Sequence, residues 1–397
     1  MGETLTADVA VVGGGLVGAA LAYELRVAGC DVVLVDAALA GRASDAGAGI
    51  LSPETFQEPD PHWYEFGAAA AGHAAALVDR LADEGTTLGA DAYARCGSLV
   101  VALAEHEDPW FSSAFALAQA RDPDVTELTG DEARGLFPPL GPVWRAFHSP
   151  AGTRVDGRAL SAALRAAAAR RGARIVAAEV TGVEGRLGRV DALRASDLVV
   201  RCGTVVAAAG AWSAGLAASM GAVLRVTPTK GQIVHMALPS VRGDPGGDAA
   251  LGDTDSGRWP VVQPVLNFYL VPWPAGRVAC GGTFEPDAAF DVRATASGLR
   301  DLLRECVAIA PGLAQATFLE VRVGLRPTSP DGRPVIGPLP GLANVHVCTG
   351  HGANGLLLGP YSAALVAATI AGTEPPGVGG ELGRDILRRC SPGRFGT

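Results

Sequence analysis

A short apolar strand that runs into three consecutive glycines, a helix-length stretch and a second apolar strand, followed much later by segments of period-two apolarity, predict an α/β chain. The expected architecture is a Rossmann-like domain assembled from discontinuous segments, joined to a second α+β domain built on a mainly antiparallel sheet. In the opening unit Val9-Ala10-Val11-Val12 is the strand, residues 16–28 are the helix ended by Gly29, and residues 31–35 are the second strand. Gly13 permits the tight turn, Gly15 removes the Cβ that would block close approach, and Gly18 lets the helix lie near the strand. The helix amino end offers unpaired N–H groups and a partial positive charge, which suit a dinucleotide's pyrophosphate. Asp36, 18 positions after Gly18, ends the second strand where a carboxylate can accept from both ribose hydroxyls, and it disfavours a 2′-phosphate.

The 397 residues, 48% of them apolar, supply enough core for two domains. A formal charge of −9 and a pI near 5.3, with no basic run, exclude nucleic acid and anionic membrane as partners and favour small metabolites. Seven cysteines, at positions 30, 96, 202, 280, 306, 348 and 390, form neither a CxxC pair nor a disulfide framework, which fits a reducing cytoplasm. Residues 1–7 carry no secretion signal. The alanine-rich residues 66–78 are broken by Gly72 and His73 and are too short to cross a bilayer, so they read as a buried helix. His62, His73, His106, His148, His235 and His346 show no metal-ligand spacing, and no metal is expected.

Beyond Asp36 the βαβ repeat gives way to a small-residue loop over 41–50, which reads as functional. A helix over 62–84, a strand over 98–103 and a helix over 110–121, bounded by Pro109 and Pro123, form an insertion. Asp156 caps a helix that stops at Gly172; residues 174–183 then read as one strand and 204–209 as another, resuming the first domain. From 226 to 284 the pattern turns to short strands, with a hairpin of 268–272 and 278–283 across Pro274-Ala275-Gly276. A helix over 294–309, apolar strands over 321–325 and 345–348 and a helix reaching Ala371 follow, and residues 379–397 read as a frayed tail. This order assigns 1–90, 150–225 and 320–397 to the cofactor-type domain, and 91–149 and 226–319 to the second.

Three further places carry chemistry. The small residues Ala209-Gly210 at a strand end allow close approach of a ligand. The glycine-rich turn from Gly350 to Gly355 opens an apolar helix and again presents backbone N–H groups. Arg326 is a planar fork suited to a carboxylate, its backbone restricted by Pro327. Gly247-Asp248-Ala249-Ala250 and Asp331-Gly332 read as a solvent loop and a turn, and Cys348 as a small core residue.

The series Val205-Val206-Ala207-Ala208-Ala209-Gly210-Ala211-Trp212-Ser213, Pro228-Thr229-Lys230-Gly231-Gln232, Tyr269-Leu270-Val271-Pro272, Gly324-Leu325-Arg326-Pro327 and Gly350-His351-Gly352-Ala353-Asn354-Gly355, after the amino-terminal fingerprint, resembles the D-amino acid oxidase-like (DAO) flavoproteins, nearest their glycine oxidase branch. The resemblance covers nearly the whole chain. It implies FAD and oxidation of a C–N bond beside a carboxylate, by hydride transfer to flavin N5. The imine formed hydrolyses to a keto acid. It places Leu16 and Val17 on the pyrophosphate, Asp36 and Ala37 on the adenosine, and Val180 against the adenine through its backbone. Ala43, Ser44, Ala48, Gly49 and Ile50 would lie along the linker and ring, and residues from Gly350 through His351, Gly352, Ala353, Asn354 and Gly355 to Leu356 and Leu357 beside the flavin. Arg326 would clamp the substrate carboxylate with help from the Tyr269 hydroxyl, while His351 would position backbone rather than act as a base.

Two departures matter. Ala353 stands where a second arginine lies in that branch, and Trp273 where a basic residue is common, which implies a wider or more apolar pocket. The substrate is then a small amino acid (glycine, a D-amino acid or an N-substituted amino acid), and the electron acceptor is oxygen or an electron carrier. A flavin monooxygenase using NAD(P)H and a non-catalytic dinucleotide-binding protein are the alternatives. The subunit count is open, and a homo-oligomer is compatible with every feature above.

Overall fold

The opening unit forms as the glycine pattern directs: strand Glu3–Val12 turns through Gly13, whose φ of +105° favours glycine, into helix Leu16–Val27, and strand Val32–Val35 returns parallel to the first. Side chains at two glycines are barred by neighbours. A Cβ on Gly18 would fall on the Gly13 carbonyl oxygen, and one on Gly13 would sit 2.5 Å from the Ala208 oxygen. The computed structural model describes residues 3–55, 60–89, 91–186, 188–239, 256–265, 268–377 and 380–396, so the motif at 247–250 lies outside the described residues.

Around that unit an eight-stranded sheet runs in the order Val180–Arg186, Arg189–Ala195, Leu198–Ala207, Glu3–Val12, Val32–Val35, Arg174–Val176. Strand Leu198–Ala207 is shared: its first half pairs antiparallel with Arg189–Ala195, and its last residues pair parallel with Val345–Thr349, which is itself paired with Val335–Pro338. The single strand expected over 174–183 is therefore two strands at opposite edges of the sheet. An apolar pattern continuous in sequence does not reveal that the chain changes edge between Val176 and Val180.

Helices cover this sheet, each with a local start signal. Asp60 accepts from the His62 amide ahead of Pro61–Asp83, and Asp156 accepts from the Arg158 and Ala159 amides ahead of Gly157–Arg170. Helix Leu16–Val27 packs between Gly157–Arg170 and Gly355–Ala371. The last of these is apolar all round because it is enclosed, with Leu358, Leu365 and Val366 fully buried.

A second eight-stranded sheet runs in the order Thr317–Thr328, Thr227–Ala237, Arg277–Gly281, Tyr269–Pro272, Val261–Pro264, Ser98–Ala102, Arg145–Ser149, Thr126–Leu128. Every pairing but that of Val261–Pro264 with Ser98–Ala102 is antiparallel. Strand Thr317–Thr328 belongs here, whereas the sequence groups residues from 320 onward with the cofactor-type segments. Its long register against Thr227–Ala237 is a contact between distant residues that no local pattern discloses. Helix Ala296–Ile309, started by Thr295, packs behind this sheet.

The carboxyl-terminal residues are not frayed. Helix Glu381–Arg389 buries Ile386, the Cys390 carbonyl accepts from the Ile336 amide at 2.9 Å, and Arg394 holds Asp331 through two contacts at 2.8 and 3.0 Å. The polar composition that suggests a tail is the exposed side of a docked amphipathic helix.

One buried carboxyl sets a pH dependence. Glu54, in the short turn Pro53–Thr55, is 4% exposed; its Oε1 has no hydrogen-bond partner among the described residues, and burial pushes the carboxyl up to about 7. Folded Glu54 keeps its proton where the unfolded carboxyl, near 4.5, has lost it, so its contribution to stability falls as pH rises from about 4.5 to about 7. Glu54→Gln keeps the shape without the charge. It is expected to stabilise the protein at pH 8 by about 3 kcal/mol, and to change little near pH 4, as read from urea unfolding midpoints at the two pH values.

Candidate active site

A continuous cavity of about 1040 Å³ is lined by both large sheets and by the loop at 41–50. On the first-sheet side its walls include Gly13, Gly15, Leu16, Val17, Asp36, Ala37 and Val180. Ala43, Ser44, Ala48, Gly49 and Ile50 line it from the loop, and Ala209 and Gly210 from the end of strand Leu198–Ala207. His351, Gly352, Ala353, Asn354, Gly355, Leu356 and Leu357 follow, with Tyr269 and Arg326 lining the same space. Gly18 and Gly350 stand outside the lining. Gly18 is where the helix meets the turn backbone, and Gly350, at φ +75°, packs on Val335.

The glycine turn fits a dinucleotide. A Cβ at Gly15 would meet only the Ser44 hydroxyl, at 3.2 Å, and that hydroxyl accepts from the Leu16 amide at 2.9 Å, so the helix amino end, a hydroxyl and open room converge. Asp36 lies against Gly14, where a Cβ would come within 2.6 Å of its carboxylate. Its Oδ2 already accepts from Arg42 at 2.9 Å, with Arg165 3.8 Å away, so one carboxylate oxygen is engaged by arginine rather than both facing a ribose. The sequence pattern gives Gly14 and Arg42 no role of their own; the middle glycine of the run is the available signal for the first.

Arg42 also connects the two sheets. Gly41 accepts from the Leu325 amide at 2.9 Å, Arg42 bridges Leu325 in parallel register, and a Cβ on Gly324 would press on Ala46 at 2.9 Å. The strand that carries Arg326 is thus bonded to the loop whose arginine holds Asp36.

On the second sheet, alternation sorts the motif around Lys230. Lys230 and Gln232 face away from the cavity. Buried Lys230 pairs with Glu285 at 3.3 Å and Asp291 at 3.5 Å, while the Gln232 amide donates to Glu285 and Thr295 and accepts from the Thr295 N–H. The Thr283 hydroxyl donates to Glu285 and accepts from the Gln232 backbone N–H, which fixes the segment at 283–285. Gly231 lies between them on the cavity face.

The Arg326 guanidinium crosses Gly231, where any Cβ would overlap it, and donates to the Thr283 carbonyl at 3.0 Å. Tyr269 crosses Gly281, where a Cβ would lie 2.6 Å from its hydroxyl. Both side chains reach Gly282, whose Cβ position is 2.9 Å from the phenol oxygen and 3.2 Å from Arg326 Nη2. Fork and phenol therefore converge. Burial raises the Tyr269 hydroxyl's pKa and Arg326 opposes the shift, so the group remains a neutral donor near pH 7. His351 is buried, its Nε2 has no partner among the described residues, and burial lowers its imidazole to about 4. It is therefore neutral at pH 7.

Trp273 does not line the cavity. Its indole packs on Val261, Val271 and Ala279, with the guanidinium carbons of Arg154 and Arg277 at 5.0 and 5.1 Å from the ring centre. The expected effect of Trp273 on pocket width is thereby removed, while Ala353 does border the space. Cys348 borders it too, from within a strand where burial raises its thiol.

Residues 8–369 match the DAO family, described as FAD dependent oxidoreductase. The chain is 32% identical to the glycine oxidase of Pseudomonas aeruginosa over 377 residues, 92% of this chain and 95% of that protein. The crystal structure of iminodiacetate oxidase from Chelativorans sp. BNC1 superposes with a TM-score of 0.85 at 33% identity, covering 97% of this chain and 98% of that one. Glycine oxidase from Geobacillus kaustophilus superposes at 0.84 with 27% identity, covering 98% of each. With its glycine turn, its cavity and its full-length match, this chain belongs to the DAO family of FAD-dependent oxidoreductases and is an enzyme.

Proposed function

We propose that the enzyme oxidises the C–N bond of a small amino acid, with the carboxylate held by Arg326 and Tyr269. The observation that carries this reading is their convergence over Gly231, Gly281 and Gly282, in the cavity that the segment 351–357 also lines. A guanidinium and a neutral phenol together suit a carboxylate and fix the carbon beside it. Glycine, D-amino acids and N-substituted amino acids share this handle, and the names of the similar enzymes, glycine oxidase and iminodiacetate oxidase, support the class. We read the first sheet and its helices as the cofactor lobe and the second sheet as the substrate lobe.

Gly13, Gly15, Leu16, Val17 and Ser44 would hold the FAD diphosphate, Asp36, Ala37 and Val180 the adenosine, and residues from Ala48 to Ile50 and 351 to 357 the flavin. FAD, when bound, supplies a two-electron acceptor for the substrate's α C–H. The protein's part is to orient and to keep charges in check. Arg326 fixes the carboxylate, Tyr269 donates to it, and neutral His351 adds no cation that would repel a substrate amine. The imine that forms gains water and yields a keto acid and an amine; oxygen or an electron carrier then takes the electrons.

The reading is tested by anaerobic mixing with a panel of glycine, D-amino acids and N-methyl amino acids. The flavin absorbance is expected to bleach with no nicotinamide present. Bleaching only on addition of NAD(P)H would favour a monooxygenase instead. Arg326→Ala is expected to weaken substrate binding by about 2–5 kcal/mol while FAD content, read by absorbance, stays intact. Gly231→Ala pushes the same guanidinium aside without removing it, so KM is expected to rise about tenfold with little change in FAD content.

A further inference from the structure

We propose that Gln263 is a specificity-determining residue that receives a carboxylate or carbonyl oxygen on the nitrogen substituent of a secondary-amine substrate. This rests on the amine-oxidation reading above and adds to it the class of substrate. Strand pairing places the residue. Val262 is opposite Leu270 in antiparallel register, so Gln263 stands opposite Tyr269 on the same sheet face, on the side away from Arg326. Its other strand neighbour is Val100, in parallel register.

Gln263 borders an arm of the cavity whose other walls are Ser52, Thr55, Val100, Ala114 and Pro264. The polar atoms in this arm are nearly all spoken for. The Ser52 and Ser98 hydroxyls bond each other at 2.7 Å, and the Thr55 hydroxyl donates to the Ser52 carbonyl at 2.8 Å while lying 3.3 Å from Gln263 Oε1. Gln263 Nε2 is buried and has no partner among the described residues. A buried donor left unpaired is costly, and a turn of the Gln263 terminal amide presents it to the cavity that the residue lines, where a ligand's acceptor satisfies it.

The spacing suits a substrate with two acceptor ends. The Arg326 fork crosses Gly231 and reaches Gly282, which follows the strand two removed from Gln263, so roughly 10 Å of sheet separates them and two side chains narrow it from both sides. A primary amine leaves the arm empty. An N-methyl group enters it without an acceptor, whereas an N-carboxymethyl group carries an oxygen towards the free Nε2. The small apolar walls at Val100, Ala114 and Pro264 admit the connecting methylene.

The test compares N-methylglycine with iminodiacetate as reductants of the enzyme-bound flavin, and measures binding of thiodiacetate, in which sulfur replaces the amine, by titration of the flavin spectrum. In Gln263→Leu the ratio of kcat/KM for iminodiacetate over N-methylglycine is expected to fall at least tenfold, and the thiodiacetate Kd to rise by a similar factor. Gln263→Glu, of the same shape, is expected to lower the ratio further through charge repulsion. An unchanged ratio and unchanged thiodiacetate affinity in Gln263→Leu overturn the assignment. Failure of both amines to bleach the wild-type flavin would overturn the amine-oxidation reading, and the thiodiacetate titration would still decide the role of Gln263.

Discussion

Two flat side chains can meet above one sheet only where the strands beneath them carry no Cβ, and the site depends on this steric condition. Arg326 starts at one edge of the second sheet and crosses Gly231 to reach Thr283, while Tyr269 crosses Gly281 from the opposite direction. The back face supplies the rigidity that the front gives up. Lys230, Gln232, Glu285 and Thr295 form a bonded layer under the glycines, and it fixes the Thr283 carbonyl that orients the guanidinium. One short motif thus serves two faces, its even positions anchoring and its odd position left bare.

The same division between local and distant constraint explains what could be read from the chain. The βαβ unit, the cap at Asp156, the hairpin through Pro274-Ala275-Gly276 and the buried terminal helix are set by neighbours in sequence, and they are found where expected. The family likeness added the cavity wall at 351–357 and the pairing of Arg326 with Tyr269, which lie far apart in the chain. Strand partnership was less accessible. Nothing local marks the change of edge after Val176, nor the long pairing of Thr317–Thr328 with Thr227–Ala237.

Site residues divided in the same way. Trp273 follows a strand that lines the cavity, yet it turns inward between two arginines. Gln263 lies in a strand with no motif of its own, and it becomes visible only when its register against Tyr269 is known. Arg42 is one basic residue in a run of small ones; its link to Asp36 is a fact of folding.

That link gives the two lobes a common footing. Asp36 is tied to Arg42, Arg42 and Gly41 are stitched to Leu325, and the next residue bears the guanidinium. A disturbance at the Asp36 carboxylate has a covalent and hydrogen-bonded route of only a few residues to the Arg326 guanidinium, so the two ends of the cavity share a single short strut instead of resting on separate supports.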